Sequence, residues 1–199
     1  MEKSDKKLVQ EPVEAVLYDV VRRALATHRV TVSEHTECYL IHLLGRFARC
    51  EPELLSRALG PELLKARRLE PAQRYVRLKD VADTSLFLTG IFLDYVESQA
   101  AATDYFFDIG RSAYTDLGSL EQQHRASAGA FVETFYDLGS RFEEFVRVLS
   151  SVADAELFAS NERIATLYGR WQSTGGTRDA QRLISLGIIP AVGEDETRH

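Results

Sequence analysis

Apolar residues recur at alternating intervals of four and three in the C-terminal third of the chain. This heptad stripe consists of Phe131, Phe135, Leu138, Phe142, Phe145, Leu149 and Val152. The spacing places all seven on one side of an α-helix and continues for three heptads. We therefore expect one long helix over residues 127–152, with the stripe buried against other helices or a partner chain.

Helical patterns also fill the rest of the chain. Pro12 and Pro71 stand where a proline favours the first turn of a helix, and Thr31 or Ser33 can cap the helix that follows. The helix that begins near Pro71 is expected over residues 72–98, and its segment 86–93 is apolar on nearly all sides, which indicates a central buried helix. Other helices are predicted from Pro12 to about Val30, from the cap at Thr31 or Ser33 to the break at Glu51-Pro52, with Tyr39 and Phe47 on its apolar face, and near residues 53–59, 62–69, 103–117, 161–171 and 178–186.

No alternation of apolar and polar residues supports a β-strand. The predicted fold is therefore all-α, an irregular bundle of about seven to nine helices. We expect one helical domain over residues 11–190, between polar tails at 1–10 and 191–199 that composition marks as disordered.

Composition indicates the cellular compartment of this domain and argues against some classes of partner. The 199 residues carry a net charge of −6, which argues against nucleic acid as a partner. Two cysteines give no disulfide framework and indicate reduced thiols in a cytosol. The polar first ten residues do not form a signal peptide, and no apolar run approaches the ~20 residues that span a bilayer. We expect a cytoplasmic protein that does not insert into membranes.

A metal site is one candidate for chemistry. His35, Cys38 and His42 lie at i, i+3 and i+7, so one face of a helix could present three side chains that zinc accepts as ligands. Ligands within two turns of one helix diverge, however, and a fourth must come from elsewhere. We favour the structural alternative of packed or solvated side chains, and no cofactor is predicted. A single Glu-x-x-His motif at Glu121 and His124 is interpreted as a solvated loop.

A polar pocket between the helices at 72–98 and 103–117 is the second candidate. Asp83 precedes an uncharged run, which suggests that it is partly buried and needs a partner. Asp83, Tyr105 and Arg111 could contact a small ligand. The alternative, which we favour, is a structural ion pair of Arg111 with Asp83 or Asp94.

A local run of basic residues is the third candidate, because it could contact phosphate. A solvated helix face balanced by nearby acidic residues is the favoured interpretation. The run consists of Lys65, Arg67, Arg68, Arg74, Arg77 and Lys79.

Three segments together resemble a group of bacterial conserved hypothetical proteins of about this length. They are residues 80–92 (DVADTSLFLTGIF), 104–114 (DYFFDIGRSAY) and 167–190, and similar segments occur there in the same order. The resemblance covers roughly residues 35–190. It implies a bacterial cytosolic protein, and it supplies no catalytic residues.

Two classes of function remain open at this stage. The first is a non-enzymatic interaction or regulatory module that forms a homodimer or binds a protein partner, because the apolar supply is generous for one chain. The second is a small-molecule-binding protein or enzyme that uses the polar pocket. We favour the first, because each candidate site has a simpler structural explanation.

Overall fold

A computed structural model describes residues 13–47, 57–92, 96, 102–124 and 129–153, with isolated positions 168, 169, 171, 177, 178 and 183. This part of the chain is all-α, as predicted, and contains no strand. It forms seven helices: α1 (Val13–His28), α2 (Glu34–Phe47), α3 (Leu59–Ala66), α4 (Pro71–Ile91), α5 (Ala102–His124), α6 (Ala130–Ser140) and α7 (Phe142–Ala153).

Local chemistry explains where several helices begin. The Ser33 hydroxyl accepts a hydrogen bond from the Thr36 N–H at 3.2 Å, so Ser33 caps α2. Pro71 occupies the first turn of α4, where its missing N–H is harmless. The break expected at residues 60–61, between the helices predicted at 53–59 and 62–69, is wrong, because α3 begins at Leu59 and includes both residues in its first turn.

Helix α4 lies at the centre of the bundle and packs most extensively against α5 and α7. Every residue from 81 to 91 is buried, which confirms the predicted central helix. Gly90 allows a close approach to α7, because a Cβ at this position would lie 2.5 Å from the Leu149 Cβ. The helix ends at Ile91 rather than at 98, where the Phe92 N–H closes the last turn on the Leu88 carbonyl.

The heptad stripe is buried, but the prediction of one continuous helix is wrong. The chain turns at Arg141, so the stripe is divided between α6 and α7. Helix α6 packs on α5, whereas α7 packs on α4 and α1. The turn at Arg141 lets each half of the stripe face a different set of neighbours. Six of the seven stripe residues have no exposed surface, and Phe131 is 43% exposed.

Helix α5 is longer than predicted and runs to His124, past the expected end at Gly118. Gly118 packs closely on the Tyr136 ring of α6, where an added Cβ would lie 3.0 Å from the ring. Glu121, which we expected in a solvated loop, lies within this helix and is buried. The Glu-x-x-His motif is therefore helical. The close packing on α6 explains why the helix contains a glycine at position 118.

Several predictions fall outside the described residues. These are the two tails and most of the helices expected at 161–171 and 178–186. Within the described part, none of the helices combines the length and apolar character that crossing a membrane requires.

Candidate functional site

A fully buried carboxylate, that of Asp83 in α4, lies where α2, α4 and α5 meet. Its Oδ1 accepts hydrogen bonds from the hydroxyls of Tyr39 at 2.5 Å and Tyr114 at 3.0 Å. Its Oδ2 accepts from Lys79 Nζ at 2.5 Å and from Arg46 Nη1 at 3.2 Å. Four donors, two of them cationic, thus compensate the burial of this carboxylate.

Helical spacing places these partners around Asp83. Lys79 precedes Asp83 by four residues on α4, so both lie on the same face. Tyr39 and Arg46 are seven residues apart on α2, which puts them two turns apart along one side of that helix. Tyr114 enters from α5 and is completely buried. One carboxylate therefore joins three helices.

Alternating charges continue from this cluster toward α3. Arg46 also pairs with Asp80, one turn before Asp83, and Asp80 accepts a hydrogen bond from Arg57 at 2.8 Å. Arg57 pairs in turn with Glu62 of α3. Partial burial acts to raise the pKa of Asp80, but its bonds and charge interactions with Arg57 and Arg46 outweigh that effect and lower it. The three bases and three acids of this ion-pair network balance one another in charge. They are Arg46, Arg57 and Lys79 with Glu62, Asp80 and Asp83.

The two tyrosines that contact Asp83 are held in their protonated form. Burial raises the pKa of Tyr39 well above its ordinary value, and the neighbouring Asp83 charge raises it further. Burial is also the main cause that raises the pKa of Tyr114, followed by Tyr39 and Asp83. Both hydroxyls are therefore donors to the carboxylate at neutral pH.

An open groove lies over this cluster, between α2, α4 and the start of α6, with a volume of about 550 Å³. We call it the α2 groove. Its polar and ionisable lining residues are Glu34, His35, Cys38, His42, Arg46 and Lys79. Its aromatic and aliphatic lining residues are Tyr39, Leu43 and Phe131. Tyr39, Arg46 and Lys79 thus belong both to the groove and to the shell around Asp83.

The groove combines an apolar wall with two partly exposed cations, Arg46 and Lys79. Phe131 stacks on the buried Phe135 with ring centroids 6.1 Å apart, and Phe135 packs against Tyr39 at 5.7 Å. The Lys79 ammonium lies 4.7 Å from the centre of the Tyr39 ring. Arg46 is already paired with Asp80 and Asp83, and Lys79 with Asp83, so their exposed surfaces offer hydrogen-bond donors rather than an excess of charge.

The three residues weighed as candidate metal ligands line this same groove. His35, Cys38 and His42 are all exposed side chains on α2. Within the described residues, no group of three or more histidine, cysteine, aspartate and glutamate side chains is arranged to hold a metal ion. The i, i+3, i+7 spacing of these residues therefore identifies the face of α2 that borders the α2 groove.

Asp83, Tyr105 and Arg111 do not form one pocket. The Tyr105 hydroxyl accepts a hydrogen bond from the Gly60 N–H at 2.8 Å, on the side of α3. The expected pairing of Arg111 with Asp83 is wrong, because Arg111 is bonded to Glu143 and lies 3.7 Å from Asp108. Asp94, the other expected partner, lies outside the described residues. The sequence does not indicate Glu143 as the partner of Arg111, because the turn at Arg141 that places the start of α7 against α5 breaks the helix expected over residues 127–152.

Sequence reasoning identified Asp83 as a buried acid but missed its partners. Lys79 was assigned to the solvated basic run, although its i, i+4 spacing to Asp83 is a usable signal. Tyr39 stands among apolar residues in the sequence of α2. No local pattern indicates that its hydroxyl meets a residue 44 positions away.

Comparison of the chain with protein-family models, curated proteins and solved structures returned no match.

Proposed function

We propose that this protein is a non-enzymatic binding module, and that its α2 groove takes a small amphipathic molecule with an anionic group. One observation carries the proposal: three of the four partners of the buried Asp83 carboxylate also line an open groove. Fixed polar groups beside an apolar wall are typical of small-molecule sites. An aromatic or aliphatic body would pack on Phe131 and Leu43, and the anionic group would meet Lys79 and Arg46.

Stability alone gives a weak reason to bury Asp83. Apolar side chains of similar volume stabilise a core as well as a buried ion cluster does, or better. Buried charges beside a cavity are instead typical of functional sites. Here the Asp83 carboxylate fixes the positions of Arg46 and Lys79, while both cations keep part of their surface exposed, at 44% and 34%.

Non-enzymatic binding agrees with the state of the groups in the groove. The Tyr39 hydroxyl is protonated and donates to Asp83, and the carboxylate already accepts four hydrogen bonds. A cysteine nucleophile needs a hydrogen-bonded base, but Cys38 has no hydrogen bond to His35 or His42 in the described structure. The groove thus offers fixed recognition groups more readily than a reactive pair. We infer a bacterial cytosol as its location, in line with the family resemblance and the cysteine usage.

Self-association stays a prediction, and the described residues offer less exposed apolar surface for it than the sequence suggests. Two of the three apolar groups on which it rests, the heptad stripe from Phe135 onward and the apolar segment of α4, are buried within one chain. Most of the third, at residues 167–189, lies outside the described residues. Light scattering that gives a mass near 22.4 kDa at micromolar concentration would exclude a stable dimer. A protein partner for the groove is likewise less favoured than a small molecule.

Two related dyes test the proposed ligand class. Anilinonaphthalene sulfonate is an aromatic anion, and N-phenylnaphthylamine is its uncharged counterpart. We expect the anion to bind more tightly, with fluorescence reporting both dissociation constants. Lys79→Gln should weaken binding of the anion by about fivefold and leave the neutral dye unchanged. Phe131→Ala should weaken both dyes by about threefold or more.

Matched controls separate the groove from nonspecific dye binding. Tyr18 is 41% exposed, close to the 43% of Phe131, but lies on α1 outside the groove. Tyr18→Ala and Lys65→Gln should leave both dissociation constants unchanged. If the control variants weaken the dyes as much as the groove variants do, in proteins that urea unfolding shows to be folded at the assay temperature, the proposal fails.

A further inference from the structure

A second concave site lies between the turn after α3, the first half of α4 and the second half of α5. Its volume is about 240 Å³, and we call it the basic cleft. Two arginines, Arg67 and Arg74, line it together with Asp116, Ser119, Gln123 and the apolar floor residue Leu78. It lies on a different side of α4 from the α2 groove, with which it shares no lining residue.

Arg74 brings a positive charge without a carboxylate partner into this cleft. Its Nε donates to the Leu69 carbonyl at 3.0 Å, which fixes the plane of the guanidinium. No acid of the described chain lies within ion-pairing distance of it. Its two terminal nitrogens are therefore free to bind an anion through parallel hydrogen bonds.

Arg67 supplies a second guanidinium that is held in place from the other side. Its Nε donates to Asp116 at 2.7 Å and its Nη2 to Ser112 at 2.5 Å, both on α5. Asp116 compensates only one of the two arginines, so the cleft lining keeps a net positive charge. Arg68 and Arg77 are exposed and do not line the cleft.

We propose that the basic cleft binds a small phosphate monoester. Arginine forks match the geometry of phosphate oxygens, and two arginines on opposite sides can bind different oxygens of one phosphate group. The Ser119 hydroxyl donates to the Thr115 carbonyl and lies 3.2 Å from the Tyr136 hydroxyl, which leaves it one lone pair to accept a hydroxyl of the organic part. The exposed Gln123 amide offers both a donor and an acceptor. This site goes beyond the proposed function of the α2 groove and does not depend on it.

Calorimetric titration with glycerol phosphate tests the proposal, with inorganic phosphate and glycerol titrated in parallel. We expect glycerol phosphate to bind more tightly than inorganic phosphate, and glycerol not to bind. Arg74→Gln should weaken glycerol phosphate by at least about tenfold, because two charge-assisted hydrogen bonds are lost. Gln123→Ala should weaken glycerol phosphate but leave inorganic phosphate unchanged.

Arg77→Gln is the matched control, because Arg77 lies one turn further along α4, is exposed and does not line the cleft. It should change the affinity by less than about twofold. Arg74→Lys, which keeps the charge but loses the fork, should still bind more weakly than wild type. Equal losses in Arg74→Gln and Arg77→Gln, or equal binding of ester and inorganic phosphate, would overturn the proposed ester site.

Discussion

Removing one hydroxyl from the core tests the network around Asp83 most cleanly. Tyr114→Phe deletes the donor that reaches Asp83 Oδ1 at 3.0 Å and leaves the aromatic ring in place. Tyr114 and Asp83 are both completely buried, so water cannot replace the lost hydrogen bond. Phenylalanine fills nearly the same volume, and no cavity is created in the core.

The expected loss follows from the charge of the acceptor. A hydrogen bond to a charged group contributes about 1.5–3 kcal/mol, compared with about 1 kcal/mol for a neutral pair. Asp83 keeps its other three partners, so the protein should still fold. In a chain of this length each kcal/mol corresponds to about 2–4 °C in melting temperature.

Tyr136→Phe is the matched control for this measurement. The Tyr136 hydroxyl bonds to Ser119 and Gln122 at 3.2 Å, but its side chain lies nearer the surface, where water can replace it. Tyr136→Phe should lower the free energy of unfolding, measured in urea, by less than about 0.5 kcal/mol. If Tyr114→Phe is no more destabilising than Tyr136→Phe, the buried carboxylate does not depend on its tyrosine donors and the account of this network is refuted.

Three further variants test the core, the ion-pair network and the surface ion pair of Arg111. Phe142→Ala should lower the free energy of unfolding by about 3–5 kcal/mol, and an unchanged urea midpoint would show that the stripe is not core. Because Arg57 helps to lower the pKa of Asp80, wild-type stability should fall as pH drops below about 4. Asp80→Asn should be less stable at neutral pH with a shallower acid transition, and identical pH profiles would contradict this. Arg111→Met should cost less than about 1 kcal/mol, and a double-mutant cycle with Glu143 that gives strong coupling would contradict the surface assignment.

Periodicity predicted most of the fold because it reports directly on burial. The stripe from Phe135 to Val152 and the apolar segment of α4 are core, as their spacing and composition require. The turn at Arg141 could not be predicted, since the heptad spacing continues through it without a break. Only the packing of the two halves on different helices reveals it.

The candidate site was predictable only in part, and for a related reason. Asp83 stood out because an acid next to an uncharged run implies burial. Its contacts with Tyr39 and Tyr114 span 44 and 31 positions of sequence, and a single sequence carries no signal for such distances. The predicted partner of Arg111 was wrong because its partner Glu143 lies on α7, and the heptad spacing predicted α6 and α7 as one continuous helix.

Amide NMR spectra recorded during titration with anilinonaphthalene sulfonate test the central claim most directly. If the α2 groove is the binding site, the largest shifts should belong to the groove-facing residues of α2 and to Lys79 and Phe131. The amides of α3 and of the exposed side of α1 should not move. Saturable shifts that cluster elsewhere, or small shifts spread over the whole surface, would contradict the assignment of the groove as the binding site.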